Sequence, residues 1–134
     1  MIKVYNNIIP LKGFVALTMW PLLFIRKAAV WLFDKVAENH ENIHGAQQRE
    51  MLIVGATLAV ILAVCGCGWW SLLTLPLFLY WYGVEWFVKY CYYRNANTAY
   101  KNIAFEREAY ANQNNVVYLD TRKPFAWISL IIIK

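Results

Sequence analysis

The chain has 134 residues, about the length of one domain and too short for two ordinary ones. It is 60% hydrophobic and 16% charged, against roughly 45–50% apolar and about 25% charged residues in a soluble domain, so composition argues against an ordinary soluble globule and against a disordered tail. The net charge of +5 comes from 13 scattered Lys and Arg that never form a run of like charges; no nucleic-acid partner is expected, and the cations are expected to face a membrane.

The opening residues, MIKVYNNIIP, contain neither a continuous apolar h-region nor a small-residue cleavage site, so no signal peptide is expected. The uncharged stretch between Lys12 and Arg26 is too short to span a bilayer comfortably as a helix. Pro21 interrupts it, removes a backbone donor and suits a turn or a strand edge. Residues 1–33 are therefore read as a short β-hairpin or an interfacial segment, with a short helix as the alternative.

Asp34 is a candidate N-cap or first-turn acid for a helix over residues 34–50, and nothing from there to Val64 forbids a helix beyond weak interruptions at Gly45 and Gly55. This helix holds the only two histidines of the chain, in His40-Glu41-Asn42-Ile43-His44. Residues i and i+4 share one helix face, so both imidazoles can reach one zinc ion while the glutamate between them projects to the metal-bound water. The competing reading is a pair of surface histidines flanking a membrane arm. His44 lies about 10 Å along the helix from the start of the apolar run at Met51, so a site there is expected close to the membrane.

Residues 51–84 carry no charge and are bounded by Glu50 and Glu85. This is far beyond the roughly 18 apolar residues that suggest a membrane helix. In the middle stands Cys65-Gly66-Cys67-Gly68-Trp69-Trp70, where glycines weaken the helix and tryptophans favour a membrane interface. An apolar helical hairpin over 51–93 is predicted, although about 15 residues per arm give about 22 Å against a hydrocarbon core of ~30 Å. Tyr80, Trp81, Tyr82, Trp86, Tyr90, Tyr92 and Tyr93 are expected to extend the second arm as an interfacial belt, and Glu85 with Lys89 to form an interfacial ion pair. Cations flank the hairpin on both sides while its turn has none, which predicts both flanks, and the site with them, on the cytoplasmic side.

Downstream, residues 103–117 are predicted as a helix and residues 118–134 as an interfacial segment. Cys65, Cys67 and Cys91 make an odd number and are expected to be reduced; a Cys-x-Cys zinc clip lacks a second Cys or His pair nearby. The third zinc ligand is sought in Phe105-Glu106-Arg107-Glu108-Ala109-Tyr110, with Glu108 as the alternative and solvated helix charges as the bland reading. Residues two apart on one helix point in different directions, so the two glutamates are not expected to share an ion.

H-E-x-x-H followed on a later helix by E-x-x-A resembles the small gluzincin core of membrane-associated zinc metallopeptidases, among them the CAAX peptidases, the HtpX-type heat-shock proteases and the BlaR-type sensors. The resemblance implies that Glu106 is the third ligand and that Ala109 holds the small position; Tyr110 stands where these families often carry aspartate. It rests on two short motifs and the apolar helices between them.

The expected fold is thus a mainly α integral membrane protein in one unit of 1–134, its two motif helices linked by the apolar hairpin. The expected activity is zinc-dependent peptide hydrolysis close to the membrane, with His40, His44 and Glu106 on the metal and Glu41 as the base. Tyr100, Tyr110, Tyr118 and Arg107 are candidate oxyanion donors, and Asn39, Asn112 and Glu108 candidate partners for the histidine rings. The expected partners are membrane lipid and a peptide or small membrane-proximal protein as substrate; the sequence sets no oligomeric state. A non-catalytic membrane adaptor, or a pseudo-peptidase with a structural or absent metal, is the alternative, against which the retained Glu41 argues.

Overall fold

The computed structural model describes residues 1–132. The chain is mostly helical, with one small sheet of three strands. Strands β1 (Ile2–Asn6), β2 (Ala16–Met19) and β3 (Leu22–Arg26) are ordered β1-β3-β2, β1 running parallel and β2 antiparallel to the central β3. The break at Trp20-Pro21 turns β2 into β3, so the stretch that admitted either strands or a helix forms strands. Alternation along β3 buries Leu23 and Ile25, while β2 lies on the first helix.

Helix α1 (Lys35–Leu62) starts where the Asp34 carboxylate accepts the Ala37 N–H at 2.8 Å. It runs 28 residues without a break, so the motif-bearing segment and the first apolar arm are one helix. Past Leu62 the chain tightens through a π-turn at Ala63–Cys67 and a 3-10 stretch at Gly68–Thr74. Gly66 (φ +90°) and Gly68 (φ +53°) take positive φ there, which reverses the chain. The returning 3-10 stretch meets α1 at Gly55. The Thr74 hydroxyl donates to the Gly55 carbonyl at 2.7 Å, and a Cβ at Gly55 would lie 2.3 Å from the Thr74 carbonyl oxygen. Gly55 is thus a packing requirement of the hairpin and not a weakness in a helix.

The second arm differs from the expected α-helix: its first part is the 3-10 stretch, and α2 (Leu77–Tyr93) begins only after Pro76. The helical stretch Lys35–Thr74, kinked at Gly66, is long and apolar enough by length and composition alone to count as one candidate membrane span, and 17% of its most apolar window is buried.

Short helices α3 (Ala96–Lys101), α4 (Ala104–Asn112) and α5 (Tyr118–Thr121) follow. Helix α4 ends at Asn112, short of the expected Val117. The polar run 112–115 turns instead, and Asn39 of α1 donates from one amide nitrogen to the carbonyls of Asn112, Gln113 and Asn115 at 3.3, 2.9 and 3.0 Å. Those orphan carbonyls are satisfied by a residue 73 or more positions away, which no local pattern reveals. The core beneath α4 joins Met51, Ile103, Phe105 and Trp127, with Phe78 stacked on Phe105 at 4.5 Å. Residues 118–134, expected at an interface, contribute Trp127 to this core and Arg122 to the network below; Ile133 and Lys134 lie outside the described residues.

Two buried ionic clusters fix α4. Glu85 and Lys89, expected at an interface, are instead buried and paired at 2.6 Å, and the Glu85 carboxylate accepts the Ala104 N–H at 2.8 Å. An anion at the first turn of α4 satisfies a free amide and favours the local dipole. On the far side of α4, the Arg122 guanidinium bridges Glu108 and Glu50, and the Tyr118 hydroxyl donates to Glu108 at 3.0 Å. Burial works against the Arg122 cation, but the two carboxylates outweigh it and raise its pKa. Arg122→Ala leaves Glu108, 1% exposed, as an uncompensated buried charge, and the expected cost is about 3–5 kcal/mol. A thermal melt in detergent should show the loss; an unchanged midpoint would mean that the network adds nothing net.

Candidate metal centre

Helix α1 places His40 and His44 one turn apart, and α4 brings Glu106 against both. The three side chains are 9%, 7% and 2% exposed. His40 Nε2 and His44 Nε2 stand 3.1 Å apart, with Glu106 Oε1 3.3 Å from His44 Nε2 and Oε2 3.5 Å from His40 Nε2. One ligand atom from each falls within 4.8 Å of the others, which makes a group able to hold a metal ion.

The protons explain why these atoms face one another. His44 Nδ1 lies 2.8 Å from Gln47 Oε1, and the Gln47 amide nitrogen donates to the Phe105 carbonyl and to Glu108 Oε2 at 3.1 and 3.0 Å. Two acceptors on the nitrogen fix which way that amide points, so its oxygen faces the ring and Nδ1 carries the proton. His40 Nδ1 lies 3.1 Å from Gln113 Oε1, an acceptor that suits the same tautomer. Both Nε2 lone pairs are thereby aimed at one point together with a carboxylate. Glu106 Oε2 is buried without a hydrogen-bond partner, while Oε1 accepts from the Tyr82 hydroxyl at 2.9 Å. Converging lone pairs and an orphaned carboxylate oxygen call for a cation at their centre.

Burial pushes the Glu106 carboxyl up, but imidazoles that carry a proton on Nε2 as well outweigh this and hold it well below the usual carboxylate range, so in the metal-free protein protons take the place of the cation between these groups. Burial and then the Glu106 charge push the Tyr100 phenol up, keeping it a protonated donor beside the site.

Among the other residues singled out from sequence, Glu41 lines the cleft that His44 and Glu106 also line, its Oε2 accepting the Thr18 hydroxyl at 2.7 Å. Glu108 is drawn away to Arg122, Tyr118 and Gln47. Of the candidate oxyanion donors, Tyr100 lines the cleft and Tyr110 packs edge-on against the His40 ring at 4.7 Å. Tyr118 is turned to Glu108, and Arg107 donates to the carbonyls of Leu130 and Ile132. Cys65, Cys67 and Cys91 are exposed and free, and the His-His-Glu group is the only one of its kind among the described residues.

The histidine partners are Gln47 and Gln113, in place of Asn39, Asn112 or Glu108. Position i+3 from His44 was the available signal for Gln47; Gln113 lies across the fold and had none. Tyr82, expected in a membrane belt, points inward to Glu106. Gln47→Leu keeps the volume and removes the acceptor on His44 Nδ1, so metal affinity should fall about 10- to 100-fold in a chelator competition. Equal affinity would show that Gln47 does not orient the ring. Comparison with protein-family models, with curated proteins and with solved structures gives no match.

Proposed function

We propose that the chain is a membrane-embedded zinc peptidase of the gluzincin type. The observation that carries this reading is the convergence of His40 Nε2, His44 Nε2 and Glu106 on one point beside the open carboxylate of Glu41. A set of two imidazole nitrogens and one carboxylate suits zinc and leaves a fourth position free, and zinc bound there supplies a water of lowered pKa and polarises a carbonyl. Glu41 takes the proton of the attacking water and returns it to the leaving amine. Tyr100, protonated and lining the same cleft, is the donor assigned to the negative charge that develops on the carbonyl oxygen. Glu106 orients no proton; it completes the ligand set, and Tyr82 steadies its Oε1.

The reading extends to the bilayer. From His44 to Leu62 the helix rises about 27 Å, of which the uncharged part from Met51 accounts for about 17 Å, and the turn beyond it exposes Trp69 and Trp70, 87% and 77% accessible, at the far end of the apolar arm. With the cationic flanks held in the cytoplasm, the centre sits at the cytoplasmic interface.

The test is hydrolysis of a panel of peptides by detergent-purified protein, stripped of metal and then reloaded with zinc, calcium or magnesium. Cleavage restored by zinc alone is expected; cleavage that survives metal removal would overturn the assignment. For topology, in a chain whose other cysteines are serine, Cys67 is expected to label from outside and Lys35→Cys from the cytoplasm. Labelling of both from one face would overturn the crossing.

A further inference from the structure

Two clefts meet at the metal centre, and their linings differ in kind. One, of about 460 Å³, runs toward the apolar hairpin and is walled by Leu11, Leu17, Met19, Phe78 and Leu79 beside His44 and Glu106. The other, of about 640 Å³, runs the opposite way along α1, past Ala37 and His40, and ends at Asn97, Lys101 and Gln113. Glu41, Ala16, Phe14, Trp86 and Tyr100 line both, so the two form one groove with Glu41 at its middle. Lys101 is exposed at the polar end and has no acidic partner among the described residues.

The floor of this groove is backbone. Strand β2 is an edge strand. The Arg26 N–H donates to the Val15 carbonyl at 3.0 Å, and Ala16 is the next residue, opposite Ile25. In an antiparallel ladder hydrogen-bonded and non-bonded pairs alternate, so the N–H and C=O of Ala16 face away from β3. Further along the same edge the Gln48 amide already closes it, donating to the Thr18 carbonyl and accepting the Trp20 N–H, both at 2.7 Å. The open edge is thus short and centred on Ala16, beside Glu41.

We infer that the groove binds an extended peptide segment of split character, bulky apolar side chains on the hairpin side of the cut bond and acidic or polar ones on the Lys101 side. This rests on the peptidase reading and names its substrate class: the stretch of a membrane-anchored protein where the chain leaves the lipid. The apolar half of the groove lies toward the hairpin and the basic half lies away from it, so such a stretch enters in one register only. Shape and charge supply the selection, and the backbone edge supplies the hold without reading side chains.

The probe is a synthetic peptide with a Leu/Phe block followed by an acidic block, labelled and added to the zinc-loaded Glu41→Gln protein in detergent. Binding is read by fluorescence anisotropy, which needs no cleavage. Replacing the apolar block by Ser and Asn should weaken binding at least about tenfold. Replacing the acidic block by a basic one should weaken it about fivefold, and Lys101→Glu should reverse that preference. Leu79→Asp, at a position 54% exposed, should reduce affinity for the apolar block while leaving the charge preference in place. Binding that ignores both blocks, or no binding by any peptide, overturns the inference. The parent protein keeps the two readings apart: cleavage indifferent to the blocks sinks the split groove and leaves the peptidase, whereas binding with the expected pattern and no cleavage sinks the peptidase and leaves the groove.

Discussion

Glu41→Gln is expected to keep its metal and to lose about 10³-fold or more in peptide hydrolysis, as follows from removing a positioned general base. The metal should stay because Glu41 is outside the ligand group, which consists of His40, His44 and Glu106. The side chain should keep its place as well. Its Oε2 accepts the Thr18 hydroxyl at 2.7 Å, and a glutamine carbonyl accepts the same bond. What disappears is basicity alone, so the loss should appear in kcat with zinc stoichiometry and thermal midpoint unchanged. A variant that cuts a peptide nearly as fast as the parent removes Glu41 from the mechanism. An inactive parent with bound zinc favours the adaptor or pseudo-peptidase.

The parts of the site that were legible in the sequence share one physical property: their meaning is local. His40 and His44 are one helical turn apart, and the turn at Gly66 and Gly68 sits in an uncharged run, so helical period and hydropathy are enough to find them. Glu106 needed the second motif because the sequence cannot say that α4 lies on α1. That placement depends on contacts across the fold: Glu85 at the first amide of α4, Asn39 on its last carbonyls, and Arg122 on Glu108. The same long reach hid the burial of Glu85 and Lys89. An i, i+4 pair near a membrane boundary looks exposed until α4 is known to cover it. Tyr82 was hidden by its neighbours, since an inward phenol among lipid-facing aromatics carries no distinct pattern. Apolar periodicity also failed in the second arm of the hairpin. A 3-10 stretch and an α-helix of the same composition differ mainly in how tightly the chain must turn to bring Thr74 onto Gly55.

Glu106→Gln is expected to weaken zinc binding on the order of 10³-fold or more, since losing a group that merely orients a ligand already costs 10- to 100-fold. The substitution keeps the acceptor for the Tyr82 hydroxyl and the volume beneath the histidines, and it removes the charge that balances the metal. Zinc at a thousandfold excess over its Kd should raise the stability of the parent by about 4 kcal/mol through mass action, and the variant should gain almost none of this. Folding failure can be told apart from ligand loss by melting variant and parent side by side without metal, where any difference reports the lost contact between Glu106 and the imidazoles and not the lost zinc. Glu108→Gln is the control on the other glutamate. Arg122 retains Glu50, and Glu108 contributes no atom to the converging group, so zinc stoichiometry should stay near one per chain. Zinc lost from Glu108→Gln and kept by Glu106→Gln would exchange the two roles and require α4 to turn by half a revolution. Turning it would break the bond from Glu85 to the Ala104 amide and the bond from Gln47 to the Phe105 carbonyl, and each of these holds Glu106 toward the histidines.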